Sequence, residues 1–359
     1  MDGITRAREG ELRMSDVDFS NLLAEFDSRD MAGFTRKFVD DLTQAFSTKI
    51  DVDADSDWSG VLCLGMGGSG AGGMFLQSLA DQSGGLPFVV WRDYGVPSWW
   101  GPDWLVIATS YSGNTEETLD GVRMVLEEGG TVVGICSGGE LEELLEDNDE
   151  SLCLAVPSGQ MPRSAFGHLF GTQLAVCWAL NLLAKPSEDE LTSMLDRLRS
   201  ASQLADIENG DGMVGTIAQT MQGTQIGIIS PTILGAAGRR FTAQLNENSD
   251  RFARPVELPE MNHNEIVAWS TDASEQCILY LTCEGMHPRV GARIDWMVEN
   301  IEATPSWIID CEGESNLESL LYAAHITDWI SIALAVLNQV DPSSMASIDG
   351  LKAHLATIQ

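Results

Sequence analysis

The sequence predicts an α/β protein built from two doubly wound parallel sheets, α/β/α sandwiches with an N-terminal helical segment. Three observations carry this. Short apolar runs alternate with helical patterns along most of the chain. The order of elements in the second half repeats that of the first, as in a duplicated domain. And 359 residues, 44% of them hydrophobic, suffice for two cores. Boundaries are expected at 1–55 for the helical segment, 56–207 for the first sheet domain and 208–359 for the second.

The elements follow in order. Leu22, Leu23, Phe26, Phe34, Phe38, Leu42 and Phe46 recur at helical spacing, so residues 1–45 read as a helical lead-in. Residues 51–58 read as an acidic linker. A buried strand at 61–64 ends in Gly65-Met66-Gly67-Gly68-Ser69-Gly70 and a helix at 71–80. A strand at 88–91 leads into a Pro/Trp-rich loop at 96–104. A strand at 104–109 ends in Ser110-Tyr111-Ser112-Gly113-Asn114-Thr115 and a helix at 116–128. A strand at 131–136, an acidic helix at 139–147 and a strand at 152–156 complete the first set. Pro162-Arg163-Ser164 opens an apolar helix over 165–184. That stretch has the length of a membrane span. His168, Gln173 and Asn181 interrupt it and no basic cluster flanks it, so it reads as a buried or interface helix.

A helix at 187–206 precedes a Gly/Asp break at 209–212. The second set then runs through a strand at 224–229, the turn Gly235-Ala236-Ala237-Gly238 and a helix at 239–249. A strand at 253–257 leads to a loop at 259–264. A strand at 277–282, a helix at 290–302, a strand at 306–310, a second long apolar helix at 317–340 and a last helix at 346–357 follow.

Charge narrows the partners. The chain has 54 acidic and 20 basic residues, a formal charge of −34. Such a surface repels nucleic acid and anionic membranes, so neither is expected as a partner. The four lysines are Lys37, Lys49, Lys185 and Lys352, and a lysine kept in so acidic a chain invites attention. Of seven cysteines, Cys63, Cys136, Cys153 and Cys277 lie in apolar runs, where a thiol acts as a small hydrophobe. There is no C-x-x-C and no Cys/His cluster, so neither a metal site nor disulfides are expected. The N-terminus lacks an apolar signal segment, and a cytoplasmic location is expected.

The two corners after strands 61–64 and 104–109 carry the clearest chemistry. Both lie at carboxyl ends of strands, where open α/β sheets bind ligands. Glycines let backbone N–H groups approach an anion, and a helix N-terminus adds positive potential. Ser69, Ser110, Ser112 and Thr115 add four hydroxyls. One such turn is ordinarily local capping. Two, in neighbouring units, suit a phosphate monoester on a small molecule. Gly65-x-Gly67-x-x-Gly70 also fits a dinucleotide fingerprint, with Asp93 near the end of the next strand. A dinucleotide fold, however, has no need of Ser110-Tyr111-Ser112-Gly113-Asn114-Thr115 after a later strand.

Further segments extend the pattern: Pro162-Arg163-Ser164-Ala165, Asn246-Glu247-Asn248, Met261-Asn262-His263-Asn264-Glu265, and Asp341-Pro342 followed by Leu351-Lys352. With Gly67 to Gly70 and Ser110 to Thr118, they resemble the bifunctional phosphoglucose/phosphomannose isomerase family, built on the sugar isomerase (SIS) fold, over residues 55–357. The resemblance implies two SIS domains and no cofactor or metal. It implies interconversion of glucose 6-phosphate, and of mannose 6-phosphate, with fructose 6-phosphate through a cis-enediol. It implies that Gly68, Ser69, Ser110, Ser112 and Thr115 hold the phosphate, that Arg163 lies near the reacting carbons, that Glu247 is the base, and that His263 and Lys352 assist ring opening. It also implies a homodimer in which His263 comes from the neighbouring subunit. Asp250 departs from the family, which often has lysine there.

Residue chemistry weighs the same positions independently. Glu247 ends a helical stretch between two asparagines, facing the negative end of the macrodipole. That disfavours its charge by only about 0.3–1 kcal/mol, so burial must supply any larger effect. His263 lies among polar neighbours, whereas His168 and His325 suit core packing. Glu265 reads as structural. Arg163 follows a proline at a helix start, where a cation gains nothing from the dipole, and its fork suits a developing oxyanion. A rival of another class is a non-catalytic SIS sensor of sugar phosphates. It would keep the hydroxyls, dispense with Glu247, His263 and Lys352, and ordinarily carry a basic DNA-binding domain, which this sequence does not show.

Overall fold

The computed structural model describes residues 4–8, 17–50, 57–83, 85–146, 148, 150–270, 275–301 and 306–358. In chain order, β1 (Ile4–Arg8) precedes three short helices, α1 (Phe19–Phe26), α2 (Met31–Arg36) and α3 (Phe38–Phe46). The first unit holds β2 (Gly60–Leu64), α4 (Gly67–Ser83), β3 (Phe88–Trp91), β4 (Trp104–Thr109), α5 (Glu116–Glu127), β5 (Val132–Cys136), α6 (Glu140–Glu146) and β6 (Leu152–Ala155). Helices α7 (Phe166–Ala179), α8 (Glu188–Ala205) and α9 (Met213–Met221) connect to the second. There follow β7 (Gln225–Pro231), α10 (Gly235–Ser249), β8 (Ala253–Leu258), α11 (Ile266–Trp269), β9 (Gln276–Thr282), α12 (Pro288–Asn300), β10 (Ser306–Asp310), α13 (Asn316–Leu337) and α14 (Ala346–Leu355).

The sheets are topological twins. The first has order β3-β2-β4-β5-β6, every pair parallel. The second, read from its matching edge, has order β8-β7-β9-β10-β1. Its fifth place is taken by β1, antiparallel to β10. Helices cover both faces, which explains why β2 and β5 are apolar and buried at every position.

Several boundaries differ from the sequence reading. The N-terminal segment is not wholly helical, because β1 satisfies the open edge of β10. Residues 51–56 of the acidic linker lie outside the described residues. Helix α4 starts at Gly67 rather than Ala71, so the glycines form its first turn. Gly67 has φ +50°, and a Cβ on Gly70 would lie 2.3 Å from the Gly65 carbonyl oxygen. Helix α10 likewise takes in the turn at Gly235. Helix α7 stops at Ala179, and Asn181, at φ +53°, turns the chain in the left-handed conformation that asparagine tolerates. Helix α9 is additional to the elements the sequence predicts, and Val214, Ile217, Ala218 and Met221 line its buried face at helical spacing.

Helices α7 and α13 run through the interior. Among the described residues α13 alone is long and apolar enough to cross a membrane, but 94% of that window is buried within the protein, as for a core helix. All seven cysteines are free thiols and six are buried. His325 of α13 is fully buried and stacks on Phe38 at 4.8 Å. Burial, aided by Arg240, pulls its pKa down to about 3. His168 lies 3.1 Å from Asp41. Both histidines are core residues, as the sequence suggested.

A buried ion pair locks α10 to α13. The Arg240 guanidinium, 4% exposed, faces the Asp328 carboxylate, with Nη2 donating at 3.0 Å. Gln244 donates to Asp328 at 2.7 Å, and Arg240 also donates to the Arg163 carbonyl at 3.2 Å. Its guanidinium lies 4.2 Å over the Phe166 ring. The pair sets where α10 lies and hence where its far end points. Asp328→Ala leaves Arg240 buried without its counter-ion and is expected to lower unfolding stability by about 3–5 kcal/mol. Urea unfolding at unchanged slope measures this. A loss under about 1 kcal/mol, the range of exposed pairs, would contradict it.

Candidate active site

The hydroxyl-bearing corners are neighbours because β2 and β4 pair, with Leu64 opposite Ala108. Ser69, in the first turn of α4, is buried, and its Oγ accepts the Tyr111 backbone N–H at 3.0 Å. Ser110 Oγ lies 2.9 Å from Thr115 Oγ1 and accepts the Thr115 N–H at 3.4 Å. Ser112 Oγ accepts from the Asn114 N–H at 3.2 Å. The loop is held from behind. A Cβ on Gly113, at φ +68°, would lie 1.7 Å from the Gly138 carbonyl oxygen. Asn114 Oδ1 accepts from the Glu140 N–H at 3.1 Å. The first turns of α4 and α5 both open at this corner, where their N–H groups favour an anion.

Arg163 joins this corner to the second unit. Its backbone abuts the glycine turn: a Cβ on Gly68 would lie 2.9 Å from Arg163 Cα. Its side chain is 2% exposed and turns toward α10. Nε donates to Asn248 Oδ1 at 2.6 Å, and Nη2 donates to the Pro342 carbonyl at 2.5 Å. Nη1 faces Glu247 Oε2 at 3.3 Å. Asn248 is itself fixed by donating to Ser331 Oγ at 2.8 Å. Burial draws the Arg163 pKa below its ordinary value, and the Glu247 charge opposes that.

Glu247 stands two residues before the end of α10, with 26% of its side chain exposed. Burial raises its pKa above the ordinary carboxylate value, while Arg163 and then Arg240 pull it back. The carboxylate is therefore desolvated, charge-balanced and still open on one side. Asp250 follows as the helix cap at φ +51°, a backbone position where aspartate is better tolerated than most residues.

Gly68, Ser69, Ser110, Ser112, Thr115, Arg163 and Glu247 thus form one contiguous region. His263 and Lys352 do not join it within the chain. His263 is exposed on a 3-10 turn, Glu260–His263, after β8, and Lys352 is exposed on α14. Among the described residues, neither side chain forms a hydrogen bond or ion pair with Arg163 or Glu247. Glu265 is engaged by Arg254 through two contacts of 2.5 and 2.6 Å, a structural role. The sequence reading gave no role to Asn248, Ser331 or the Pro342 carbonyl. Asn248 and Pro342 lay within the quoted segments, but a lone serine inside an apolar helix carries no such signal.

Comparisons with known proteins agree with this architecture. The family described as SIS domain matches residues 56–183, and that described as Bacterial phospho-glucose isomerase C-terminal SIS domain matches residues 213–355. The bifunctional phosphoglucose/phosphomannose isomerase of Aquifex aeolicus is 32% identical over 304 residues, 83% of this chain and 91% of that one. The protein of the same name from Caldicellulosiruptor bescii is 30% identical over 326 residues, 86% and 93% of the two chains. A hypothetical protein of known structure from Thermus thermophilus shares the fold, with a TM-score of 0.71, 16% identity and coverage of 94% and 92%. With a buried arginine tying a hydroxyl-lined corner to a desolvated glutamate, and matches running through both units, the chain belongs to the bifunctional phosphoglucose/phosphomannose isomerase family of SIS-domain phosphosugar isomerases.

Proposed function

We propose that the protein interconverts glucose 6-phosphate, and mannose 6-phosphate, with fructose 6-phosphate through a cis-enediol. One observation carries the reading: Gly68 of the phosphate corner touches the backbone of Arg163, whose side chain faces Glu247 at 3.3 Å. In this reading Gly68, Ser69, Ser110, Ser112 and Thr115 receive the phosphate, using hydroxyls and the N-termini of α4 and α5. The anchored phosphate sets C1 and C2 beside Glu247. The carboxylate removes the proton from C2 of the open-chain aldose, the C1 carbonyl oxygen takes the negative charge and then the proton of the C2 hydroxyl, and Glu247, whose proton exchanges with solvent in part, returns a proton to C1 as the C2 carbonyl forms. Arg163 offsets the negative charge on that oxygen. A base that must accept and return a carbon-bound proton benefits from a raised pKa, and burial supplies it. A sensor that only binds sugar phosphates would have no use for the desolvated Glu247.

Ring opening is assigned to His263 and Lys352 of a second copy of the chain. Their exposure supports this, because neither is engaged at the site of its own chain. No residue of α14 is buried, and Ile348, Leu351, Leu355 and Ile358 stand exposed at helical spacing around Lys352. A partner that covers those apolar side chains would bring Lys352 toward a neighbouring active site.

Glu247→Gln is expected to reduce kcat by about 10²–10⁴-fold, the range of general acid–base catalysis. A residual rate within tenfold of wild type would refute the assignment. Turnover in deuterated water should place deuterium at C1 or C2, read by proton NMR. Catalysis needs Glu247 ionised, so the acid limb of kcat/KM against pH is expected above the ordinary carboxylate range. Arg163→Gln removes the charge favouring that ionised form, moving the limb further upward while kcat falls about 10²–10³-fold. Mixing inactive Glu247→Gln and His263→Ala chains should restore activity if His263 acts across a dimer. If both residues act within one chain, the mixture stays inactive.

A further inference from the structure

Besides the active site, the two units share a second cleft. It is a cavity of about 320 Å³ whose lining includes Ser78 and Asp81 of α4, Arg92 just after β3, Gly235 and Arg239 of α10, and Glu257 of β8. None of the residues assigned to the phosphate corner, nor Arg163 or Glu247, lines it. Arg92 and Glu257 stand at the carboxyl ends of the two matching edge strands, the side on which such sheets bind ligands. The turn at Gly235 opens α10 as the turn at Gly67 opens α4, so the cleft includes the first turn of the helix that matches α4.

Its charge is out of keeping with the rest of the chain. In a protein with a formal charge of −34, two guanidiniums face one cavity. Arg239 is met by Glu257 at 3.0 Å. The Glu257 carboxyl group lies against the first turn of α10, 2.7 Å from where a Gly235 Cβ would stand. A carboxylate thus already rests where a helix N-terminus attracts anions. Arg92 has no acidic partner within ion-pair distance among the described residues, and Asp81 is exposed and unpaired there. Arg92 is exposed, and the partial burial of its side chain, then the Arg239 charge, pull its pKa below the ordinary value. Arg92 is the unneutralised cation of the cleft.

The geometry points to a second anion site, between Arg92 and Arg239, that takes the phosphate group of a small metabolite distinct from the bound substrate. Helices α4 and α10 pack together, and each lines this cleft with one part and the active site with another. Ligation at Gly235 and Arg239 therefore acts on the helix that carries Glu247, about 12–18 Å further along.

Equilibrium dialysis of the full-length protein against radiolabelled orthophosphate at low salt tests this. Two phosphates per chain are expected for wild type. Arg92→Gln and, separately, Arg239→Gln should weaken one of them by about tenfold or more, as loss of a charge-assisted contact requires. Ser110→Ala combined with Ser112→Ala should weaken the other, so each site reports separately. Basal isomerase activity confirms that the arginine variants are folded. One phosphate per wild-type chain, or two undiminished phosphates in Arg92→Gln, overturns the proposal.

Discussion

The guanidinium of Arg163 is the constraint on which the site depends. It is a cation taken almost wholly out of water, and such a group is tolerated only where its donors are matched. Its chain segment rests against the first unit at Gly68, while Asn248, Glu247 and the Pro342 carbonyl match it from the second. The two units are therefore held in register by the same residue that the proposed chemistry uses. Shifting α10 would strand the charge, and the Arg240–Asp328 pair resists that shift one turn or more away on the same helix. Arg240 also donates to the Arg163 carbonyl, so the two buried arginines brace each other's elements.

Duplication explains how one chain makes an asymmetric site. Both units present a strand, a glycine turn and a helix at equivalent places. The first unit keeps the hydroxyls of Ser110, Ser112 and Thr115, while the second contributes Glu247 from a helix end. The units also complete their sheets differently. β6 fills the fifth place of one sheet, and the N-terminal β1 closes the other. The start of the chain is thereby stitched to its second half, with α1 to α3 spanning between.

The alternation of strands and helices, and the corners at Gly65 and Ser110, were legible because buried parallel strands and glycine turns have strong local patterns. Strand β1 was not, since Ile4 to Arg8 gains its structure from the waiting edge of β10 and not from its own apolar content. Helix α9 was overlooked where its short length resembled an extension of the Gly/Asp break. At the site, Glu247 and Arg163 came forward through the family resemblance joined to their unusual settings. The hydrogen bonds to Asn248 and to the Pro342 carbonyl join residues far apart in the chain, and no local pattern encodes them. Asp250 shows the converse. Its departure from the family has no reason in the local sequence, and its left-handed backbone gives it a conformational one.

The central claim is that phosphate binding by one unit presents the sugar carbons to the carboxylate of the other. A crystal structure with fructose 6-phosphate bound tests it most directly. The account predicts the phosphate within hydrogen-bond reach of the Ser110 and Thr115 hydroxyls, with C1 and C2 facing Glu247 and the Arg163 guanidinium beside their oxygens. A sugar whose phosphate occupies that corner while its carbons point away from Glu247, in every subunit, would contradict it.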